Sequence, residues 1–122
     1  MASDYRDDIL EVLDDRFVDY PLVMRGLIFG HPGYKIDNKV FAFVIGDGLC
    51  LKLPRADYEK CLEEDFAVTF SPRETPMGTW AIITYADAPE YLDNWHWIEK
   101  AVDFIQTPEG APPRKKRKKE IG

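Results

Sequence analysis

Apolar residues near the start of the chain recur at the three- and four-residue spacing that is typical of an amphipathic helix. Ser3 is suited to cap the N-terminus of such a helix, and the acidic residues of its first turn favour the positive end of the helix dipole. The pattern therefore predicts a helix from Asp4 to Phe17. Four residues form its apolar face: Ile9, Leu10, Leu13 and Phe17.

The pattern changes to short apolar and alternating runs between residues 25 and 53, which indicates strands joined by tight turns. Asp37-Asn38 and Gly46-Asp47 are the expected turns of two hairpins, because these residues tolerate positive φ. The run Val40–Ile45 is apolar on both alternating faces, so its strand should be central and deeply buried. The meander consists of Tyr34–Ile36, Lys39–Ile45 and Gly48–Leu53, and Arg25–Phe29 can form a short strand before it.

Helices and strands are also indicated in the second half of the chain. Glu90 lies three residues after Asp87, as in a capping box, and Pro89 suits the first turn of a helix. The predicted elements are a helix at Arg55–Glu64, strands at Phe66–Phe70 and Trp80–Tyr85, and a final helix at Ala88–Ile105.

The final helix carries more apolar residues than one helix face can hold. At 100° per residue, Trp97 falls about 120° and Phe104 about 140° from Tyr91, which lies on the main stripe. Either the predicted N-terminal helix, Asp4–Phe17, covers this second set, or the set is an interaction patch for a partner, such as a second copy of the chain. The main stripe consists of Tyr91, Trp95, Ile98, Val102 and Ile105.

Two tight hairpins followed by two further strands predict an α+β fold with a mainly antiparallel five-stranded sheet, flanked by N-terminal and C-terminal helices. The sequence predicts one domain over residues 1–107. Prolines and glycine then mark residues 108–122 as a disordered linker and basic tail.

Charge is unevenly distributed along the 122 residues. The chain has 16 basic and 22 acidic residues, a net charge of −6, and residues 114–122 hold six of the basic and one of the acidic residues. The remaining ten basic and 21 acidic residues give the body a net charge of −11. An acidic body argues against a broad nucleic-acid or membrane surface on the domain itself. The N-terminus lacks the layout of a signal peptide, so we expect a cytoplasmic protein.

Residues of the types that act in catalysis or metal binding form no recognised motif in this sequence. His31 and His96 belong to no metal-ligand spacing, and Cys50 has no assignable base, so we expect no catalytic residue, no metal site and no cofactor. Cys50 and Cys61 are expected to be reduced thiols rather than a disulfide framework.

Lys52 is a charged residue within an otherwise apolar strand. One interpretation is an anion-binding or ligand cleft that Lys52 forms together with Arg25. The other is a lysine whose aliphatic stem packs on the sheet while its ammonium group reaches water.

A set of residues spread over the chain matches a known family pattern. Its members are Arg25, Phe29-Gly30, Gly33, Asn38-Lys39, Phe41-Ala42, Leu51-Lys52-Leu53, Phe70, Met77, Trp95 and Ala101. In these residues the sequence resembles the N-terminal domain of the TfoX/Sxy family of bacterial competence regulators over roughly residues 5–106. That resemblance implies an antiparallel sheet flanked by helices, in a domain that regulates rather than catalyses. It extends to the related MmcQ/YjbR domains, which have been likened to DNA-binding folds.

Three functions are compatible with these features. The first is a non-catalytic regulatory or protein-interaction domain, which could form a homodimer. The second is a nucleic-acid-associated protein, binding weakly and without sequence preference through its tail. The third is a small-molecule-binding domain around Arg25 and Lys52. We expect no membrane partner. The basic residues of the tail are Arg114, Lys115, Lys116, Arg117, Lys118 and Lys119.

Overall fold

The computed structural model describes residues 5–111. The predicted helix start at Ser3 and Asp4 lies outside this range, as do residues 112–122. In chain order the elements are α1 (Asp7–Phe17), β1 (Val23–Ile28), β2 (His31–Ile36), β3 (Lys39–Ile45), β4 (Gly48–Lys52), α2 (Arg55–Leu62), β5 (Ala67–Thr69), a 3-10 turn (Pro72–Glu74), β6 (Trp80–Ile83), α3 (Pro89–Asp93) and α4 (His96–Ile105).

The strands of the described region form one sheet in the order β1-β2-β3-β4-β6-β5, and every neighbouring pair is antiparallel. The helices flank this sheet, so the predicted α+β class is confirmed. The sheet has six strands rather than five. The difference is β1, which pairs with β2 along its whole length, from Val23 opposite Ile36 to Ile28 opposite His31.

Both predicted hairpin turns are present. Asp37 and Asn38 have φ of 54° and 68°, and Gly46 has φ of 56°. Positive φ at both turn residues matches the twist of the flanking strands, which explains the two-residue loop between β2 and β3. These turns set the register of the three central strands.

The prediction that Val40–Ile45 is a central strand is confirmed. β3 lies between β2 and β4, and Phe41, Phe43 and Val44 are fully buried. The register between β2 and β3 shifts next to Tyr34, so Phe41 forms a bulge opposite the partner strand. Apolar side chains therefore fill both faces of this strand.

The two faces of the sheet carry separate clusters of apolar side chains. The helix-side core includes Leu13 of α1, Leu51 of β4 and Ile98 of α4. The opposite face carries a smaller cluster formed by Phe43, Cys50, Phe70 and Trp80.

The final helix is interrupted, whereas the sequence predicted one continuous helix over Ala88–Ile105. Asn94 adopts φ of −116° and ψ of 38°, outside helical values, and its side-chain Nδ2 donates to the carbonyl oxygen of Glu90 at 2.9 Å. Asparagine competes for backbone groups in this way, which disfavours it inside helices. Glu90 also accepts from the Asp87 backbone N–H at 2.9 Å, as half of the predicted capping box.

Candidate functional site

Arg25 is part of a hydrogen-bonded cluster between β1 and α1. Its Nε and Nη2 donate to the two carboxylate oxygens of Asp14 at 3.1 and 3.2 Å, and the Tyr34 hydroxyl donates to the same carboxylate at 2.7 Å. Burial alone would raise the pKa of Asp14, but hydrogen bonds from Arg25 and Tyr34 outweigh it and lower that pKa. The guanidinium of Arg25 is therefore already neutralised by a carboxylate.

Lys52 lies far from this cluster, so the structure does not bring together Arg25 and Lys52, the two residues of the predicted cleft. β2 and β3 separate β1 from β4, which places three interstrand steps of about 4.8 Å, or about 14 Å, between the two strands. The Lys52 Nζ donates to the carbonyl oxygen of Gly110 at 2.6 Å, and burial lowers the pKa of the ammonium group. Lys52 thus anchors the segment after α4.

The predicted interaction patch of Trp97 and Phe104 is not a free surface. Trp97 is only 6% exposed and packs in the helix-side core, with its ring 6.5 Å from that of Phe66. Phe104 is half-buried, and Gly110 packs closely against its backbone and ring. Trp97 is thus buried in the core beside Phe66, and Phe104 is packed against the chain after α4, so the two side chains do not form an open patch.

Other candidate residues also lie apart from one another. His31 pairs with Ile28 at the first turn, whereas His96 is exposed at the start of α4. Cys50 and Cys61 are buried free thiols, and burial raises the pKa of Cys61 to about 12. Over residues 5–111, no group of three or more His, Cys, Asp or Glu side chains is arranged to hold a metal ion.

The basic tail, Arg114–Lys119, falls outside the described residues. The last described segment, Pro108–Ala111, contacts the domain, because the carbonyl oxygen of Gly110 accepts a hydrogen bond from Lys52 Nζ at 2.6 Å. None of the helices of the described region is long and apolar enough to cross a membrane.

The open edge of β1 is the surface that sequence reasoning missed. β1 ends the sheet on one side and pairs only with β2 among the strands of the described region. It contains no proline, and its single charge, Arg25, is paired with Asp14. Edge strands usually carry charges, prolines or bulges that prevent pairing with other chains. We call this surface the β1 edge; it comprises Val23–Ile28 with the flanking Leu22 and Phe29.

Large apolar side chains are concentrated along the β1 edge. Four of them, Leu22, Met24, Leu27 and Phe29, are between 60% and 72% exposed. The opposite edge differs, because β5 has only three residues and contributes one exposed apolar side chain, Val68. The domain therefore has one short edge and one long apolar edge.

Tyr20 holds the beginning of the β1 edge against α4. Its hydroxyl donates to Glu99 Oε1 at 2.6 Å and accepts from the Trp95 indole N–H at 2.8 Å. Its carbonyl oxygen accepts from the Val23 N–H at 3.0 Å. Burial first, and then the hydrogen bond to Glu99, raises the pKa of Tyr20. These hydrogen bonds fix the position at which β1 begins.

The other end of the β1 edge is fixed by the turn into β2. Phe29 and Gly30 adopt φ of 53° and 81°. This left-handed conformation is uncommon for phenylalanine, and it places the Phe29 ring 6.3 Å from Phe43 and 6.1 Å from Phe70. Phe29 thus partly covers the second apolar cluster while remaining 62% exposed.

A shallow groove adjoins the β1 edge at Leu22. The groove has a volume of about 660 Å³ and lies between the β2–β3 turn and the end of α4, with Ile36, Ile105 and Ala111 in its walls. Ala111 is the last described residue, so this groove lies where the described chain ends. We therefore treat the β1 edge, not the groove, as the candidate site.

One signal in the sequence could have identified this edge. The segment Leu22–Phe29 is apolar apart from Arg25 and Gly26, and its exposed side chains lie on both faces of the strand. A strand that is apolar on both faces but begins a meander has no earlier strand beside it. Such a segment is expected at an edge with an unsatisfied apolar surface.

The fold and the edge together define this chain as an α+β domain with an unprotected apolar strand. No protein-family model, curated protein or solved structure matches the chain. The resemblance to the TfoX/Sxy N-terminal domain therefore stays a prediction.

Proposed function

We propose that this chain is a cytoplasmic, non-catalytic protein-interaction domain of regulatory type that binds its partner by adding a strand to the β1 edge. Adding a strand satisfies the free backbone groups of an edge, and pockets between alternate side chains then provide specificity. The sequence resemblance to bacterial competence regulators supports the regulatory part of this proposal.

The exposure of Leu22, Met24, Leu27 and Phe29 is the observation that carries the proposal. Large apolar side chains left exposed along an unpaired strand edge commonly mark an interaction surface. Here they accompany six consecutive residues of edge backbone, which is enough for several interchain hydrogen bonds.

Site-specific photo-crosslinking tests this function. A photoreactive phenylalanine derivative placed at Leu27 should crosslink the chain to a protein partner in cells that produce it. The matched control carries the same group at Val68, an exposed residue on the opposite edge strand. Adducts that form at residue 27 and not at residue 68 are expected, and equal yields at both positions, or none at residue 27, would refute the proposal.

A further inference from the structure

The β1 edge has a shape and chemistry that fit a second copy of itself. We infer that two copies of this chain pair β1 with β1, antiparallel about a two-fold axis at Gly26, and form one continuous twelve-stranded sheet. This inference rests on the proposed function and names the partner. Antiparallel pairing of identical strands is symmetric by construction, so one patch supplies both sides of the interface.

The side chains of β1 alternate between the two faces of the sheet, and this alternation restricts the register of the pairing. Val23 packs in the helix-side core and Arg25 contacts α1, whereas Ile28 packs in the cluster on the opposite face. Directly opposed residues of an antiparallel pair share one face of the sheet. Odd-numbered residues must therefore meet odd-numbered ones, and even-numbered residues must meet even-numbered ones.

The allowed registers that pair most of Val23–Ile28 have their axis at Arg25 or at Gly26, and charge selects Gly26 between them. An axis at Arg25 would place two guanidinium groups directly opposite each other, which is unfavourable. With the axis at Gly26, Arg25 lies opposite Leu27 of the second copy, and Met24 lies opposite its Ile28. Each arginine also keeps its own Asp14, so the interface gains no unpaired charge.

Surface area also supports a dimer of modest affinity. Each of the four exposed side chains offers on the order of 100 Å² of apolar surface. Two copies then bury on the order of 800 Å², and the paired backbone adds to this, which approaches the roughly 1,000 Å² of a specific interface. We therefore expect dissociation in the micromolar range.

Salt should distinguish this dimer from one held by ion pairs. The bodies of the two copies each carry −11 and repel each other, whereas Leu22–Phe29 contains no carboxylate. Screening of that repulsion should strengthen apolar strand pairing as the salt concentration rises.

Sedimentation velocity at increasing protein and salt concentrations tests the dimer. The wild-type chain should dimerise, and Leu27→Lys should weaken dimerisation at least about tenfold in Kd. Val68→Lys is the matched control, since it adds the same charge to the opposite edge. A wild-type chain that stays monomeric at high micromolar concentration, or a dimer that Leu27→Lys leaves unchanged, would overturn the inference.

Disulfide trapping provides a second measurement that does not depend on the lysine variant. Gly26→Cys would place two thiols across the axis at the separation that a disulfide needs. The atoms nearest to the new Cβ would belong to the flexible Lys35 side chain, with its Cδ at 3.1 Å. Mild oxidation should give covalent dimers of this variant and not of Val68→Cys. Equal or absent trapping contradicts the axis at Gly26.

The crosslinking experiment separates failure of the dimer from failure of the proposed function. Adducts of the Leu27 variant with the mass of two chains support the pairing of copies. Adducts formed only with a different protein overturn the inference while the strand-addition function stands. If no adduct forms at residue 27, both proposals fail.

Discussion

The cluster of Arg25, Asp14 and Tyr34 between β1 and α1 places a buried hydroxyl group beside two charged groups. Tyr34 is 2% exposed, and its hydroxyl donates to Asp14 at 2.7 Å. Burial and this hydrogen bond both raise the pKa of Tyr34, because ionisation would place a second negative charge beside the carboxylate. The cluster therefore holds β1 to α1 without using the outer edge of the strand.

The contribution of Asp14 to stability should depend on pH. Folding lowers the pKa of Asp14 below 3.8, so its contribution is fully present above that value and is lost as the pH falls through the folded pKa. The pair is half exposed, so we expect Asp14→Asn to cost about 1 kcal/mol or less at neutral pH. Urea unfolding of both proteins from pH 7 to pH 2.5 measures the difference.

The matched control for this titration is Asp15→Asn. The side chain of Asp15 makes no hydrogen bond or ion pair within residues 5–111. A cost of Asp14→Asn that stays constant with pH, or one that Asp15→Asn reproduces, would contradict the role of the cluster.

Phe41 should be among the most sensitive core positions. Its side chain is fully buried in the bulge of β3. Phe41→Ala should lower the free energy of unfolding by roughly 3–5 kcal/mol through lost burial and a cavity. Val18→Ala, at a side chain that is 77% exposed, should change it by less than about 0.5 kcal/mol. Denaturant titrations compare the two variants, and similar effects would contradict the assignment.

At the scale of elements, local signals predicted the hairpins well because their causes are local. Asp37-Asn38 specifies its turn through residue types that tolerate positive φ, and Val40–Ile45 specifies a central strand through apolar residues on both faces. The full length of β1 could not be predicted in the same way, because the strand is defined by its pairing with β2 and not by its own residue pattern.

The surroundings of the last helices could not be derived from helical periodicity. The break at Asn94 changes the angular relation between residues before and after it, and Phe66, 31 positions earlier than Trp97, supplies the contact that covers the indole. The position of the Lys52 ammonium group could not be derived from the sequence either, because its hydrogen-bond acceptor is the carbonyl oxygen of Gly110, far along the chain. The surroundings of Trp97 and Lys52 therefore depend on tertiary contacts that helical periodicity does not specify.

Trp97→Glu tests the corrected position of this side chain. Because Trp97 is buried, an introduced carboxylate should destabilise the domain by about 4 kcal/mol or more through lost packing and charge burial. His96→Glu is the matched control at the neighbouring exposed position. Thermal unfolding followed by circular dichroism should show a large loss only for the first variant. Equal melting temperatures would place Trp97 at the surface.

At the scale of the whole molecule, the acidic body (residues 1–113) and the basic run Arg114–Lys119 carry opposite charge. If Arg114–Lys119 binds duplex DNA, at most six phosphates are engaged, so the slope of log K against log salt should be no steeper than about −5. Binding should be weak and independent of sequence, and the −11 body should oppose it.

A salt titration of DNA binding for the full chain and for a chain ending at Pro113 measures this contribution. Loss of binding in the shorter chain is expected. Equal binding by the two chains, or no binding of either at about 50 mM salt, would remove the basic run from nucleic-acid binding.

The insertion of β6 between β4 and β5 has a consequence for synthesis on the ribosome. Leu49 pairs with Ile83 and Lys52 with Trp80, so β4 has no outer neighbour until residues 80–83 have emerged. Strands β1 to β4 can assemble from nearby segments while translation continues, whereas closure of the sheet waits for this late strand. A nascent chain stalled before residue 80 therefore exposes two unpaired sheet edges at once, one formed by β1 and the other by β4. Such chains should depend on chaperones to remain unaggregated, and chains released after residue 105 should not.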